Sequence, residues 1–316
     1  MAVLFHGVAP RRADPRIERS HHEADSFRAI AKSLKAHFHI LPLAALDDAL
    51  AHPVRHARTL FLMSDDGYRN TSTVAADILE ELQLPWTLFI STHHVDTGEP
   101  NPLMLARLFL YYAPAGTYAI PHLEAPLTLG VEPERDRLAT HVIASLKALE
   151  IGRAREAIAA MAGVFADDRF AELIARFPAE RFLGWDDVAR LHKRGVEIGA
   201  HAHRHWPMNA AQSAENLREQ ARLPKEMIEA QIGPCPYFAY PFGNVGDVSA
   251  RAWQDVRDAG YRYAFTTLSA SLDAGANPWL LPRYTLRPSE PHLRALLPLM
   301  RAGNARLSRW QERLAD

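Results

Sequence analysis

Two adjacent aspartates, Asp65 and Asp66, directly follow a short apolar run at residues 59–63 and precede Gly67. The run predicts a buried strand, and the active sites of parallel α/β folds assemble at the carboxyl ends of such strands. Neighbouring carboxylates repel each other and are costly to bury unpaired, and a metal ion bound to one of them removes that cost. Asp-Gly is a strong turn signal by itself, so this motif taken alone favours an ordinary turn.

Three histidines, His201, His203 and His205, follow a second predicted strand at residues 196–199. His201 and His205 are four residues apart, so one helical turn would direct both imidazoles at one point, with His203 at the rim. A His-rich surface turn is the alternative. Together with Asp66, the two imidazoles form a three-ligand set with open positions, which suits zinc, cobalt, nickel or iron. The neighbouring aspartate is then free to accept a proton from an activated water, which predicts a hydrolase.

Composition excludes several other classes of protein. The chain has 316 residues, of which 48% are hydrophobic and 23% are charged, an ordinary mixture for a globular protein. Its formal charge of −1 provides no general attraction for nucleic acid. The single cysteine, Cys235, excludes an internal disulfide framework and a multi-cysteine zinc site. The chain has no apolar run of about 18 residues and no secretory signal pattern, so we expect a soluble, cytoplasmic protein.

Short apolar runs alternate with helical patterns along much of the chain, which predicts βα units around a parallel sheet. The predicted strands are residues 2–5, 59–63, 86–90, 196–199, 237–239 and 263–266. The predicted helices are residues 25–36, 71–82, 186–193, 211–232 and 250–259. We expect Asn70 or Thr71 to cap the second helix, and Pro224 to kink or split the fourth.

Two segments depart from this rhythm. Residues 98–182 carry Leu-rich and Ala-rich helical patterns, and we interpret them as a helical insertion between two strands of a single barrel domain spanning 1–316. The tail at residues 292–316 has apolar and arginine positions at helical spacing. A helix that closes the barrel is the favoured interpretation of this tail, and a basic amphipathic helix on a membrane surface is the alternative.

Three motifs together resemble the polysaccharide deacetylase family, which is carbohydrate esterase family four and contains the chitooligosaccharide-deacetylase homology domain. They are Asp-Asp-Gly-Tyr at 65–68, Glu-Ile-Gly-Ala-His at 197–201 with the further His205, and Phe-Ala-Tyr-Pro-Phe-Gly at 238–243. The opening Leu-Phe-His-Gly-Val at 4–8 fits a less specific part of the family pattern. The resemblance spans residues 2–97 and 183–290.

The resemblance implies a distorted, incomplete (β/α) barrel that hydrolyses a carbon–nitrogen bond to remove an N-acyl group, usually acetyl, from an amino sugar. It implies Asp66, His201 and His205 as ligands of a divalent metal, with zinc favoured and cobalt, nickel, manganese or iron as alternatives. Asp65 would be the general base. The substrate would be an N-acylated amino sugar, an oligosaccharide or a lipid-linked precursor, and the oligomeric state stays open. A catalytically inactive barrel that binds carbohydrate or a protein partner is the alternative function.

The same resemblance implies roles for the third motif and for nearby aromatic side chains. Tyr240, Pro241 and Phe242 would border the substrate, and the backbone N–H near Phe242 would help to hold the oxyanion. Tyr68 could stack on a sugar ring, as could the tryptophans at 206 and 253, although large aromatic side chains more often belong to the core.

Two expected residues are missing from their usual places. Many relatives carry an arginine in the third motif to orient the base, and here Arg283 or Arg287 could supply it from another strand, although an exposed role is equally consistent. Many relatives also use a late histidine as general acid, and this chain has only His292 there. His6 is the best-placed substitute, because the first strand borders the second in most sequential arrangements. The histidines at 93 and 94 are further candidates, and a structural role is the alternative for each.

Overall fold

A computed structural model of the chain describes residues 1–273, 275–288, 310–312 and 314. The strands are β1 (Ala2–Phe5), β2 (Val8–Ala9), β3 (His22–Glu23), β4 (His39–Ile40), β5 (Thr59–Ser64), β6 (Thr87–Ile90), β7 (Gly116–Tyr118), β8 (Leu127–Leu129), β9 (Glu197–Ala200), β10 (Tyr237–Ala239), β11 (Tyr263–Phe265) and β12 (Tyr284–Thr285). The helices are α1 (Ala24–His37), α2 (Leu46–Ala51), α3 (Ala76–Glu81), α4 (Thr92–Thr97), α5 (Pro102–Tyr112), α6 (Glu132–Lys147), α7 (Ile151–Ala162), α8 (Asp167–Ala175), α9 (Trp185–Lys193), α10 (Ala214–Ile232) and α11 (Ala250–Asp258).

The main sheet is parallel and curls into an open half-barrel. Its strands follow the order β11-β10-β9-β6-β5-β1-β12, and β4 pairs with β5 in addition. A bridge between Phe265 and Leu281 links β11 to the segment before β12. The distorted, incomplete (β/α) barrel predicted from the sequence is therefore confirmed.

The strands of this sheet are short apolar runs because both faces of the sheet are covered. Every residue of β1 and β5 is buried. Side chains such as Leu62 and Leu88 pack against the surrounding helices, and Phe61 and Phe89 fill the inside of the half-barrel. Continuous burial on both faces is typical of parallel sheets, and it explains why these strands read as unbroken apolar runs.

Several local predictions need correction. The helix predicted at 71–82 begins with a π-helical turn at Thr71–Ala75, and the side chain of Asn70 does not cap it. That side chain instead accepts a hydrogen bond from the Val8 backbone N–H and donates one to the Ala179 carbonyl. Pro224 does not split its helix, because α10 runs through it without a break.

Residues 98–182 contain α5 to α8 and a short antiparallel hairpin of β7 and β8, which the sequence did not predict. The helices enclose an apolar cluster of their own, in which Phe109, Val142 and Met161 are buried. Trp206, from the loop after β9, packs into this cluster and is 2% exposed. This packing holds the helical segment against the carboxyl end of the sheet.

Most of the predicted tail, including His292, lies outside the described residues. In the part of the tail that is described, Trp310 is buried in the main core and Gln311 donates a hydrogen bond to the Leu280 carbonyl. No helix in the described part of the chain combines the length and apolar character needed to cross a bilayer.

Candidate metal centre and active site

The turn after β5 directs two carboxylates into the mouth of the half-barrel. Asp66 has a φ of 77° and Gly67 a φ of 88°, so the backbone turns sharply through the left-handed region. Aspartate tolerates this conformation better than most residues, and glycine adopts it freely. A Cβ on Gly67 would lie 3.2 Å from the Ile90 side chain. The close approach of the turn to β6 therefore favours a residue without a side chain.

The two histidines predicted as ligands converge on Asp66. His201 Nε2 lies 3.2 Å and His205 Nε2 lies 2.8 Å from the same Asp66 oxygen, and all three side chains are buried. Their candidate ligand atoms all lie within 4.8 Å of one another. The helical turn predicted at 201–205 is absent. The chain forms a loop in which Ala202 and His205 have positive φ values of 57° and 48°.

The neutral tautomer of His201 fits a cation. His201 Nδ1 lies 2.8 Å from the Ala239 carbonyl oxygen, which can only accept a hydrogen bond, so Nδ1 carries the proton in the neutral ring. The Nε2 lone pair of His201 then faces a carboxylate oxygen of Asp66, an arrangement of two acceptors that a positive ion between them would satisfy. A carbonyl that fixes the ring in this way is typical of metal-ligating histidine.

Asp65 is bound by Arg283, one of the two arginines considered as a replacement for the arginine missing from the third motif. Arg283 Nη1 and Nη2 donate to the two Asp65 oxygens, each at 2.7 Å, and Arg283 Nε donates to the Thr266 carbonyl. Arg283 is 0% exposed and Asp65 is 1% exposed. Burial by itself would raise the pKa of Asp65, but the charge and hydrogen bonds of Arg283, together with the other neighbouring groups, outweigh it and hold the pKa below its usual value. Asp65 is therefore an ionised carboxylate with a fixed orientation.

A cleft of about 490 Å³ opens above these groups. Asp65, Asp66, His201 and His205 line its floor. The helical segment 98–182 and the loops around the mouth supply most of its walls. The wall residues include Arg19, Ser20, Asn101, Leu103, Arg107, Lys147, Asn244, Thr267, Ser269, Thr285 and Arg287.

The polysaccharide deacetylase family model matches residues 134–264. This range contains both converging histidines and the third motif, and it begins after the two aspartates. The chain resembles the polysaccharide deacetylases. No curated protein matches it.

Solved structures show the same fold along nearly the whole chain. The Streptococcus pyogenes deacetylase PplD in complex with acetate is 14% identical, with a TM-score of 0.58 over 95% of this chain and 96% of that one. IcaB from Ammonifex degensii is 12% identical, with a TM-score of 0.58 over 94% and 96%. A de-N-acetylase from Aggregatibacter actinomycetemcomitans is 14% identical, with a TM-score of 0.56 over 95% and 98%. At these identities, the comparison establishes a shared polysaccharide deacetylase fold.

His6 is the candidate acid that the structure brings to this cleft. It lines the cleft and is half-buried. His93 and His94 do not line the cleft. His93 Nε2 is 2.9 Å from a Glu99 carboxylate oxygen, and His94 donates from Nδ1 to the Glu99 carbonyl.

The third motif contributes its backbone more than its side chains. Phe242 lines the cleft with a φ of 63°, and its backbone N–H makes no hydrogen bond within the described residues, so it is available to a bound oxyanion. Tyr240 and Pro241 do not line the cleft. Tyr240 is fully buried, and its hydroxyl donates to the Trp279 carbonyl at 2.9 Å.

The aromatic side chains proposed for sugar stacking divide between the cleft and the core. Tyr68 lines the cleft and is 3% exposed. Trp206 is buried in the cluster of the helical segment. Trp253 is half-buried beside Trp279, with ring centroids 6.3 Å apart, and His203 is buried with Nδ1 2.9 Å from the Thr92 hydroxyl.

Sequence reasoning missed Asn101, which joins the helical segment to a candidate metal ligand. Its side-chain oxygen accepts from the Leu103 backbone N–H at 2.9 Å and so caps α5, and its amide nitrogen lies 3.2 Å from His205 Nδ1. The Asn-Pro pair before an apolar helical run was the available signal for the cap. Nothing in the local pattern indicated that the same side chain contacts His205.

Glu180 was also missed. It is 4% exposed, and one of its oxygens has no hydrogen-bond partner within the described residues. Burial raises its pKa to about 8, against the opposing influence of Arg107. At neutral pH it is therefore largely protonated, and it lies behind Tyr68, whose pKa burial raises well above its usual value.

Proposed function

We propose that the protein is a metal-dependent hydrolase that removes an N-acetyl group from an amino sugar in a glycan or glycan precursor. One observation carries the proposal: Asp66, His201 and His205 converge on a point next to an ionised, buried aspartate, at the floor of a cleft. A three-ligand site with a neighbouring carboxylate is the arrangement that hydrolysis of an unreactive amide requires. The resemblance to polysaccharide deacetylases supports the choice of an N-acetylated sugar.

Each of these residues of the cleft has a separate chemical role. Asp65 accepts the proton of the attacking water, and Arg283 keeps it ionised and correctly oriented. The free backbone N–H of Phe242 donates to the oxyanion as the carbonyl carbon becomes tetrahedral. His6, which lines the same cleft, supplies a proton to the departing amine.

Asp66, His201 and His205 would hold the divalent metal, and zinc suits a ligand set of two imidazoles and one carboxylate best. When bound, the metal would polarise the amide carbonyl and lower the pKa of water. The Ala239 carbonyl and Asn101 hold the two imidazole rings in position.

The inactive-barrel alternative rested on two missing residues. The contact between Arg283 and Asp65 supplies a charge partner for the base, and His6 occupies the cleft where a proton donor is needed. A module that only binds carbohydrate has no need for a buried, ionised aspartate beside a ligand set, since ionisation there costs free energy.

Two measurements on the untagged protein test the proposal. Elemental analysis is expected to find about one divalent metal per chain, and acetate release from N-acetylated amino sugars and their oligomers is expected to stop on chelation and to return with zinc. The Asp65→Asn protein is the matched control, because it retains the ligands and lacks the base. Acetate release that is equally fast in the chelated protein or in the Asp65→Asn protein would contradict the mechanism.

A further inference from the structure

The walls of the cleft are strongly cationic. Arg19, Arg107, Lys147 and Arg287 all line it. The carboxylates that line it within the described residues are the two aspartates of the floor. One of these is bound by a buried arginine, and the other faces two histidines, so neither neutralises the walls. The cleft therefore attracts a substrate that carries negative charge near its reacting amide.

Arg19 and Arg107 differ from Lys147 in having no partner within the described residues. Lys147 pairs with Asp247 at 2.7 Å and lies 4.1 Å from the centroid of the Phe242 ring, so its charge is already balanced within the protein. By contrast, Arg19 and Arg107 have no hydrogen bond or salt bridge within the described part of the chain. Both guanidinium groups are thus free to bind a ligand.

Two neighbouring arginines are paired within the protein. Arg135, on α6, donates three hydrogen bonds to the carbonyls of Gly130, Leu110 and Ala113. Arg16, in the same loop as Arg19, binds the Asp14 carboxylate through Nε and Nη2. Buried and half-buried arginines normally find acceptors in this way, because an unpaired charge is costly to remove from water.

Arg107 is the more informative of the two. It is half-buried on α5, where its neighbours Ala106 and Leu108 are 0% exposed, so the sequence places a charge inside an apolar helix. Burial and the nearby charge of Arg19 lower the pKa of Arg107, but a guanidinium stays charged in proteins. Among the acidic groups, Glu180 acts most strongly on Arg107, and the raised pKa of Glu180 leaves that group largely neutral at pH 7.

From the cavity and its free cations, and resting on the proposed function, we propose that Arg19 and Arg107 bind a phosphate group attached to the N-acylated amino sugar. A guanidinium donates two parallel hydrogen bonds to a phosphate, and a phosphate has enough oxygens to engage two guanidinium groups at once. A neutral glycan would leave both cations unmatched. The substrate class is therefore a sugar phosphate, as a monoester or as a diester linked to a further group, rather than an uncharged polymer.

Binding of inorganic phosphate tests the subsite without any turnover. Titration calorimetry compares the wild-type protein with the Arg107→Gln, Arg107→Lys and Arg155→Gln proteins, each before and after chelation of metal. Arg155 is a matched control, since it is an exposed arginine of the same helical segment that does not line the cleft. Arg107→Gln is expected to weaken phosphate binding about tenfold, the effect of one charge-assisted hydrogen bond, in both metal states. Arg107→Lys is expected to lie between it and wild type, and Arg155→Gln to match wild type.

Two results would overturn the subsite. One is phosphate affinity that Arg107→Gln leaves unchanged, and the other is affinity that disappears on chelation, which would place the phosphate on the metal. Circular dichroism and thermal melting of each variant check that the loss is not one of folding.

A second arm separates the subsite from the proposed reaction. Glucosamine 1-phosphate, its methyl diester and glucosamine carry no acyl group, so their affinities do not depend on deacetylation. Tighter binding of the monoester than of glucosamine, by about tenfold or more, is expected in wild type and not in Arg107→Gln. Equal affinity of the diester and monoester would indicate a linked substrate, and weaker affinity of the diester a free sugar phosphate. Equal affinity of all three compounds in wild type would refute the phosphate subsite, even if the protein deacetylates neutral sugars. A lack of acetate release would refute only the proposed reaction.

Discussion

Arg283 donates hydrogen bonds to both oxygens of Asp65, each at 2.7 Å, at a place where neither side chain is more than 1% exposed. The two residues are 218 positions apart in the chain. A buried carboxylate without this partner would take up a proton and lose its ability to act as a base. The ionisation of Asp65, which its proposed role as a base requires, thus depends on a side chain outside the three sequence motifs.

Replacing Arg283 by glutamine is expected to destabilise the protein and to remove most of its activity. Breaking a buried ion pair leaves one charge without a partner, which costs about 3–5 kcal/mol. Urea denaturation measures the loss of stability, and acetate release measures the loss of activity at a temperature where the variant is folded. Metal content is expected to stay at the wild-type level, because Arg283 does not touch the candidate ligands. Wild-type rates in Arg283→Gln would contradict the positioning role.

The two adjacent aspartates are expected to respond differently to substitution. Asp66→Ala removes a ligand and is expected to lose bound metal and activity together. Asp65→Asn is expected to retain the metal and to lose turnover, since the amide cannot accept a proton at neutral pH. Elemental analysis and acetate release on the same preparations distinguish the two variants. Metal loss in Asp65→Asn, or metal retention in Asp66→Ala, would reverse the assignments.

His6→Gln is expected to slow amide hydrolysis by about 10²–10⁴-fold, the usual contribution of a general acid. The effect is expected to be much smaller on an activated ester such as 4-nitrophenyl acetate, whose leaving group departs without protonation. Asp65→Asn is expected to impair both substrates, because both need a base. His93→Gln is the matched control, as His93 lies outside the cleft. A loss in His6→Gln that is the same for ester and amide would exclude the acid role.

Asn101→Ala is expected to have two effects with separate causes. The lost cap of α5 costs about 1 kcal/mol of stability. The lost contact to His205 removes a donor to Nδ1 that favours the ring tautomer with its proton on Nε2, so metal binding is expected to become stronger. Ser213→Ala removes a comparable cap, since the Ser213 hydroxyl accepts from the Asn216 backbone N–H at 3.1 Å, and that hydroxyl makes no contact with the candidate ligands within the described residues. Competitive chelation is expected to show stronger metal binding only in Asn101→Ala.

Glu180→Gln is expected to change how stability depends on pH. Because the folded-state pKa is raised from 4.5 to about 8, the folded protein holds a proton that the unfolded chain has already released. The stabilising contribution of this group is fully present below pH 4.5 and is lost as pH rises to about 8, at up to about 1.4 kcal/mol per pH unit. The Gln variant removes this term. The free energy of unfolding of the Gln variant, relative to that of wild type, is therefore expected to increase as pH rises through this window. A difference between the two that stays constant with pH would contradict a buried carboxyl with a raised pKa.

Sequence alone determined six of the eight strands of the main sheet and the order of the motifs. The runs at 2–5 and 237–239 coincide with β1 and β10, and the predicted strand ends carry the aspartates and histidines that the structure brings together. These features are local: burial on both faces makes a strand apolar along its length, and chemistry collects where such a strand ends. The local conformation was less secure, since a loop with two left-handed residues, and not a helical turn, aims His201 and His205.

Tertiary structure alone decided which distant residues join the site. The sheet order places β1 between β5 and β12, with Val3 opposite both Leu62 and Tyr284, and so brings the segment before β12 to within one strand of β5. Arg283 reaches Asp65 for that reason. No periodicity in the sequence specifies strand order. The choice between Arg283 and Arg287 therefore depends on the register of the packed strands, which only the tertiary structure shows.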